Sequence, residues 1–168
     1  MIDSTPLVCV MGVSASGKST VGAALATELG VPFADADPLH SAGNRRKMAS
    51  GIPLTDEDRW PWLDAVGARL QEARSTGLVM ACSALRRAYR DRIRAVAPEV
   101  VFVHLDGSRE LLTARIRERD DHFMPPALLD SQLETLEPLQ GDEAGLVADV
   151  AMPVRELVDD VAARLRAR

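Results

Sequence analysis

Gly12-Val13-Ser14-Ala15-Ser16-Gly17-Lys18-Ser19 follows the apolar run Leu7–Met11 and opens the helix-compatible segment Thr20–Leu29. Glycine at the first and sixth positions, followed by lysine and serine in a turn from a buried strand into a helix, is the phosphate-binding P-loop pattern in its required context. In such a loop the backbone N–H groups surround nucleotide phosphates, and the helix behind adds the positive end of its dipole. Lys18 brings a full charge to the β- and γ-phosphates, and the Ser19 hydroxyl is placed for Mg²⁺. The expected nucleotide contacts are therefore Gly12, Val13, Ser14, Ala15, Ser16, Gly17, Lys18, Ser19 and Thr20.

Working outward, apolar runs recur at Leu7–Met11, Val31–Ala34, Leu78–Cys82, Val100–Leu105 and Leu146–Met152, with amphipathic helical segments between them. Five short strands alternating with helices predict an α/β fold, a parallel sheet with helices on both faces. The 168 residues fit a single domain, 1–168, with no composition break to suggest a second. The net charge of -5 disfavours a general affinity for nucleic acid or anionic membrane. No apolar stretch is long enough to span a bilayer, and no basic segment leads into an apolar signal core, so the expected compartment is the cytoplasm. Cys9 and Cys82 each fall in a strand-like run without a Cys or His partner at ligand spacing, which argues against a metal site and against a structural disulfide.

In such sheets the ligand sits beyond the carboxyl ends of the strands, so the residues after each run come first. Asp35 and Asp37 follow the second run, and on extended backbone they point the same way. Asp37 is assigned to orient the acceptor hydroxyl and take its proton, and Asp35 to hold Mg²⁺ through water. Asp37 before Pro38 also fits a helix N-cap with proline at the first position. Arg45, Arg46 and Lys47 form a basic run on a short helix, and Thr55 to Asp58 reads as a capping box with acids on the dipole's positive end. The Trp60-Pro61-Trp62 aromatics read as core. After the third run, Arg86 is placed to clamp an anion bidentately; Arg90, four residues on, fits either a ligand or an acid such as Asp91 or Glu99. Asp106 ends the fourth run as a Walker B strand would. Arg115 and Arg119 share a helix face and can reach over the nucleotide, from a lid spanning roughly residues 115–140, to neutralise charge in the transfer. The turn between the last strand and the closing helix, Val154–Leu165, is expected near the adenine.

Together these blocks resemble the gluconate kinase (gluconokinase) family, relatives of shikimate and nucleoside monophosphate kinases. The resemblance rests on Met11-Gly12-Val13-Ser14 entering the P-loop, Asp37-x-x-His40-x-x-x-Asn44-x-x-Lys47-Met48, and Gly51-x-Pro53-Leu54-x-Asp56-x-Asp58-Arg59-x-Pro61-Trp62-Leu63. It continues through Cys82-Ser83-Ala84-Leu85, Tyr89-Arg90-Asp91, His122-Phe123, Ser131-Gln132 and Leu136-Glu137, nearly the whole chain. It implies a P-loop NTPase fold with strand order 2-3-1-4-5 and a mobile lid, and ATP- and Mg²⁺-dependent phosphorylation of D-gluconate to 6-phosphogluconate, which enters the pentose phosphate pathway. It also implies that Asp37, His40, Lys47, Arg59, Ser83 and Arg86 contact the sugar acid, with Arg59 and Arg86 as candidates for its carboxylate. The implied partner is a small molecule, not nucleic acid or membrane, and homodimers are frequent in the family.

Two positions depart from the family pattern. Ala15 stands where glycine is usual, with little effect expected, and Asp121 replaces the usual glycine before His122-Phe123. Two other classes fit the P-loop less well. A GTPase-type switch would want an Asn-Lys-x-Asp stretch, which is absent, although Asp142-Glu143-Ala144-Gly145 satisfies its Asp-x-x-Gly formula. A scaffold that had lost catalysis would have no need of Lys18.

Overall fold

The computed structural model describes residues 5–118 and 126–168. Its strands are β1 (Leu7–Met11), β2 (Phe33–Asp35), β3 (Leu78–Ala81), β4 (Val101–Asp106) and β5 (Gly145–Asp149). Its helices are α1 (Lys18–Leu29), α2 (Ala42–Ala49), α3 (Asp56–Glu72), α4 (Arg87–Val96), α5 (Arg109–Glu118), α6 (Pro126–Thr135) and α7 (Val154–Arg166). A 3-10 turn covers Asp37–Leu39. All strand pairs are parallel, in the order β2-β3-β1-β4-β5. Each apolar run overlaps a strand: β1 coincides with its run, and the boundaries of the others move by up to three residues. The largest shifts are at β2, which begins at Phe33 rather than Val31, and β5, which ends at Asp149 rather than Met152.

Strand β1 is buried along its whole length. Its side chains alternate between two cores, Leu7, Cys9 and Met11 facing a cluster built with α3 and α4, Val8 and Val10 facing one built with α1 and α7. That is the period-2 pattern of a strand covered on both faces. Helix α3 approaches α4 closely at Gly67, where an added Cβ would lie 2.8 Å from the Val96 Cβ. The expected capping box is present: Thr55 Oγ1 accepts from the Asp58 N–H, and Asp58 Oδ2 accepts from the Thr55 N–H. The cysteines are free and buried.

Between β1 and α1 the chain turns through left-handed backbone. Gly12 has φ of 149°, and a Cβ there would lie 3.0 Å from the Leu105 carbonyl oxygen, so the position excludes any side chain. Ala15 has φ of 67°, a conformation in which a Cβ crowds the carbonyl at a cost of about 1–2 kcal/mol. The loop thus carries strain at Ala15 that a glycine would relieve.

Arg90 resolves the choice left open by its sequence position. Its guanidinium is completely buried and binds Glu143, with Nε 2.7 Å from Oε1 and Nη2 3.0 Å from Oε2. The remaining donors reach the carbonyls of Ala84, Leu85 and Pro138. Glu143 also accepts from Arg94 at 2.8 Å and from the Gln140 N–H at 2.8 Å. Asp91, the suggested partner, pairs with Arg87 and Arg94 instead. Asp142 holds Arg87 through two hydrogen bonds, so the acids of the Asp-x-x-Gly formula are engaged in joining α4 to the segment before β5. Burial opposes the Glu143 charge, but Arg90, the Gln140 N–H and Arg94 outweigh it and hold its pKa at about 2.

Glu143→Gln would leave Arg90 buried without its counter-charge, and chemical denaturation should show a loss of about 3–5 kcal/mol. Because the folded-state pKa lies below the unfolded one, the carboxylate's stabilisation is full above about pH 5 and disappears as pH falls toward 2. The variant's stability should accordingly vary less with pH across that window. Ala15→Gly should raise stability by about 0.5–1 kcal/mol, the relieved strain less the greater unfolded-state freedom of glycine, measured by the same method.

Candidate active site

The P-loop lies between the exits of β3 and β4. The Gly12 N–H donates to the Ser83 carbonyl at 3.3 Å. Within the loop the Val13 carbonyl accepts from Ser16 Oγ at 2.6 Å and from Lys18 Nζ at 3.1 Å, so the ammonium lies folded back against its own loop. The Ser14 N–H points out of the loop and donates to Gln132 Oε1 of α6 at 2.6 Å.

Beside the loop is a cavity of about 360 Å³, lined by Ala15, Ser16, Gly17, Thr20 and Val21 on one side. Val150, Met152, Val154 and Leu157 give it an apolar wall, and Arg115 and Glu118 stand at its edge. Arg115 donates through Nη2 to the Val150 carbonyl, which fixes the guanidinium beside the turn from β5 to α7. A flat apolar base fits between such walls, with its phosphates running onto the loop. Arg119, paired with Arg115 in the sequence reading, lies outside the described residues, as do Asp121 and His122-Phe123.

At the end of β2 the two aspartates have different partners. Asp35 Oδ2 accepts from Ser19 Oγ at 3.2 Å, and Asp35 Oδ1 accepts from the Asp37 N–H at 2.9 Å. Asp35 is therefore the residue that caps the short turn, and Asp37 is its first residue, with Ala36 in the N-cap position and no capping bond from the Asp37 carboxylate. Burial raises the Asp37 pKa, as does neighbouring Asp35, while Lys18 opposes them. A carboxylate so placed is a stronger base than an exposed one. Ser19 and Asp35 together offer a hydroxyl and a carboxylate, hard oxygen donors of the kind Mg²⁺ takes alongside nucleotide phosphates. Among the described residues no group of three or more His, Cys, Asp or Glu side chains could hold a metal by itself.

Helices α2, α3 and α4 form the other side of the site. Asp56, Arg59, Arg86 and Tyr89 make one cluster. Tyr89 OH donates to Asp56 Oδ1 at 2.6 Å and accepts from Arg59 Nη1 at 3.0 Å. Arg59 and Arg86 approach Asp56 at 3.5 and 3.9 Å, and their guanidinium carbons lie 5.3 and 6.0 Å from the Tyr89 ring centre. A single carboxylate and one phenol thus hold two arginines together, each with donors left over for a further anion. His40 stacks on Trp62 at 4.0 Å and meets Asn44 Nδ2 at 3.3 Å, while Trp62 Nε1 donates to the Ala36 carbonyl at 2.9 Å. Burial, then Arg59 and Arg45, lower the His40 pKa, which keeps the ring neutral at pH 7 and places it in the field of the same arginines. Lys47 is drawn to Asp58 at 2.8 Å, holding α2 to the start of α3. Ser83 joins the acceptor side to the P-loop through its carbonyl.

Sequence reasoning grouped Lys18, Ser19, Asp35 and Asp37, and the structure brings these together. It missed the cluster's centre. Asp56 read as one of three acids on a helix N-terminus, and Tyr89 carried no local signal of a hydrogen-bonding role. Gln132 stood in a quoted block without any assigned contact, and only the fold brings it to Ser14.

An AAA-domain family model matches residues 7–139. The thermosensitive gluconokinase of Escherichia coli K12 is 47% identical over 141 residues, covering 82% of this chain and 75% of that protein. The gluconokinase of Gluconobacter oxydans is 48% identical over 140 residues, covering 82% of this chain and 78% of its own. A crystal structure of a gluconokinase from Sinorhizobium meliloti superposes with a TM-score of 0.87 at 49% identity, covering 95% of this chain and 93% of that one. Shikimate kinase from Aquifex aeolicus, at 18% identity and a TM-score of 0.59, shares the fold. With that degree of identity across a P-loop, an acidic turn and an arginine pair already in place, the chain belongs to the gluconokinase family of P-loop kinases.

Proposed function

We propose that the protein transfers the γ-phosphoryl group of ATP to the terminal hydroxyl of D-gluconate, giving 6-phospho-D-gluconate and ADP. The observation that carries this reading is the arginine pair bridged by Asp56 and Tyr89 on the side of the site opposite the nucleotide cavity. A polyol acid needs a cationic seat for its carboxylate and a base for its far hydroxyl, and Asp37 at the P-loop side is that base. Membership of the gluconokinase family supports the same acceptor.

In this mechanism gluconate lies between the arginines and Asp37, with His40, Lys47 and Ser83 bordering it. Asp37 accepts the hydroxyl proton as the oxygen bonds to the γ-phosphorus, and the bond from that phosphorus to the β,γ-bridging oxygen breaks, leaving its electrons on ADP. Lys18, Arg115 and Arg119 balance charge on the transferring group. Ser19 and Asp35 would hold Mg²⁺, which supplies charge neutralisation at the phosphates when bound. The lid of this single-domain enzyme is residues roughly 115–140, including the end of α5 and all of α6. No helix among the described residues is long and apolar enough to cross a membrane. Placement in the cytoplasm is part of the proposal, supported by two unpaired thiols.

ATP consumption by the purified protein with Mg²⁺ should occur with D-gluconate and not with shikimate, D-glucose, AMP or no acceptor. Turnover on another acceptor alone would reassign the pocket, and acceptor-independent hydrolysis would favour a nucleotide switch. Asp37→Asn should lower kcat by about 100-fold or more with ATP affinity nearly unchanged, as removal of a general base does. Since burial and Asp35 raise the Asp37 pKa and the base works deprotonated, the acid limb of the wild-type kcat/KM profile should lie above that of an ordinary aspartate.

A further inference from the structure

Helix α6 touches the phosphate loop at one polar point, and its packing gives no structural need for that point. Leu129 is buried in a cluster with Val13, Leu85 and Leu112, against which Leu133 and Leu136 pack. Just beyond the helix, the Glu137 N–H donates to the Leu85 carbonyl at 2.7 Å, and Glu137 Oε1 accepts from the Arg87 N–H at 2.8 Å. The helix is therefore seated by apolar burial and by a backbone tie. One hydrogen bond between neutral groups adds only about 1 kcal/mol to such a contact.

The chemistry of the contact is informative. A backbone N–H can only donate, so the Gln132 oxygen must face Ser14, and the NH2 group is directed elsewhere with both donors to place. An oxygen accepting from a P-loop N–H does what a phosphate oxygen does. The base cavity is lined by Ala15, Ser16, Gly17, Thr20 and Val21, the later part of the loop and the start of α1. Ser14 stands on the earlier part, so a triphosphate that enters from that cavity brings its terminal phosphoryl group toward Ser14.

We propose that Gln132 is a further catalytic residue of the phosphoryl transfer. In the nucleotide-free enzyme its amide oxygen stands in for a γ-phosphate oxygen at the Ser14 N–H. In the ATP complex the amide turns, yields that N–H, and donates its NH2 to the transferring group. The inference rests on the kinase reading for its chemistry but not on gluconate as acceptor.

The discriminating variant is Gln132→Glu, which keeps an acceptor for Ser14 but loses the amide donors and adds negative charge. Calorimetric titration should give an ADP affinity within about twofold of wild type, and about tenfold or weaker binding of a non-hydrolysable ATP analogue, the loss of a hydrogen bond to a charged group plus repulsion. In steady state kcat should fall by about tenfold or more, with the KM for gluconate little changed. Gln132→Leu should show a smaller loss of analogue binding, since it lacks the repulsive charge. Equal binding of both nucleotides and unchanged kcat in Gln132→Glu would overturn the proposal and leave Gln132 a purely structural tie. If gluconate is not the acceptor, wild-type turnover fails with it while the split between ADP and the ATP analogue still reports on Gln132.

Discussion

Burial of β1 on both faces and along both edges is the constraint on which the rest of the molecule depends. The strand is hydrogen-bonded to β3 and β4 and sealed by two helical layers, so its backbone polarity is satisfied and its position fixed. The chain must then leave this strand in a space already bounded by the Leu105 and Ser83 carbonyls, and only a glycine turn fits there. The phosphate loop takes its shape from that confinement. Its inward groups have protein partners, the Gly12 N–H on the Ser83 carbonyl and the Ser16 N–H on the Val13 carbonyl, while the outward Ser14 N–H meets Gln132.

Carboxylates of similar sequence character acquire different chemistry from their surroundings. Asp58 caps a helix and holds Lys47, and its pKa is lowered to about 2 chiefly by that lysine. Glu143, out of water, is ionised because Arg90 and Arg94 surround it. Asp37, with burial and a neighbouring aspartate and without a cap to make, moves the other way. Strongly paired acids organise the scaffold, and of these three Asp37 is the one whose charge is least supported.

Several features were legible in the sequence for local reasons. The P-loop, the five apolar runs and the Thr55–Asp58 capping box depend on spacings of a few residues, which the chain displays directly. The family blocks carried the strand order and the acceptor class. The choice between a ligand and an acid for Arg90 was not legible, because Glu143 is 53 residues away and a helix-face argument sees only neighbours at three and four. Asp35 and Asp37 were read as pointing the same way on extended backbone, but Asp37 opens a short 3-10 turn that Asp35 caps, an outcome that depends on the backbone at Ala36 rather than on residue type.

By itself the sequence determined the elements, the parallel α/β architecture and the nucleotide loop. These follow from periodicity and short-range motifs, whose energetics are written into adjacent residues. Tertiary structure alone decided which arginine is buried as scaffold and which two share Asp56. It also decided that Ala15 occupies strained backbone and that a glutamine from α6 meets Ser14. Those outcomes turn on distances between elements set by packing, and a side chain's partner across such a distance has no signature in the residues next to it.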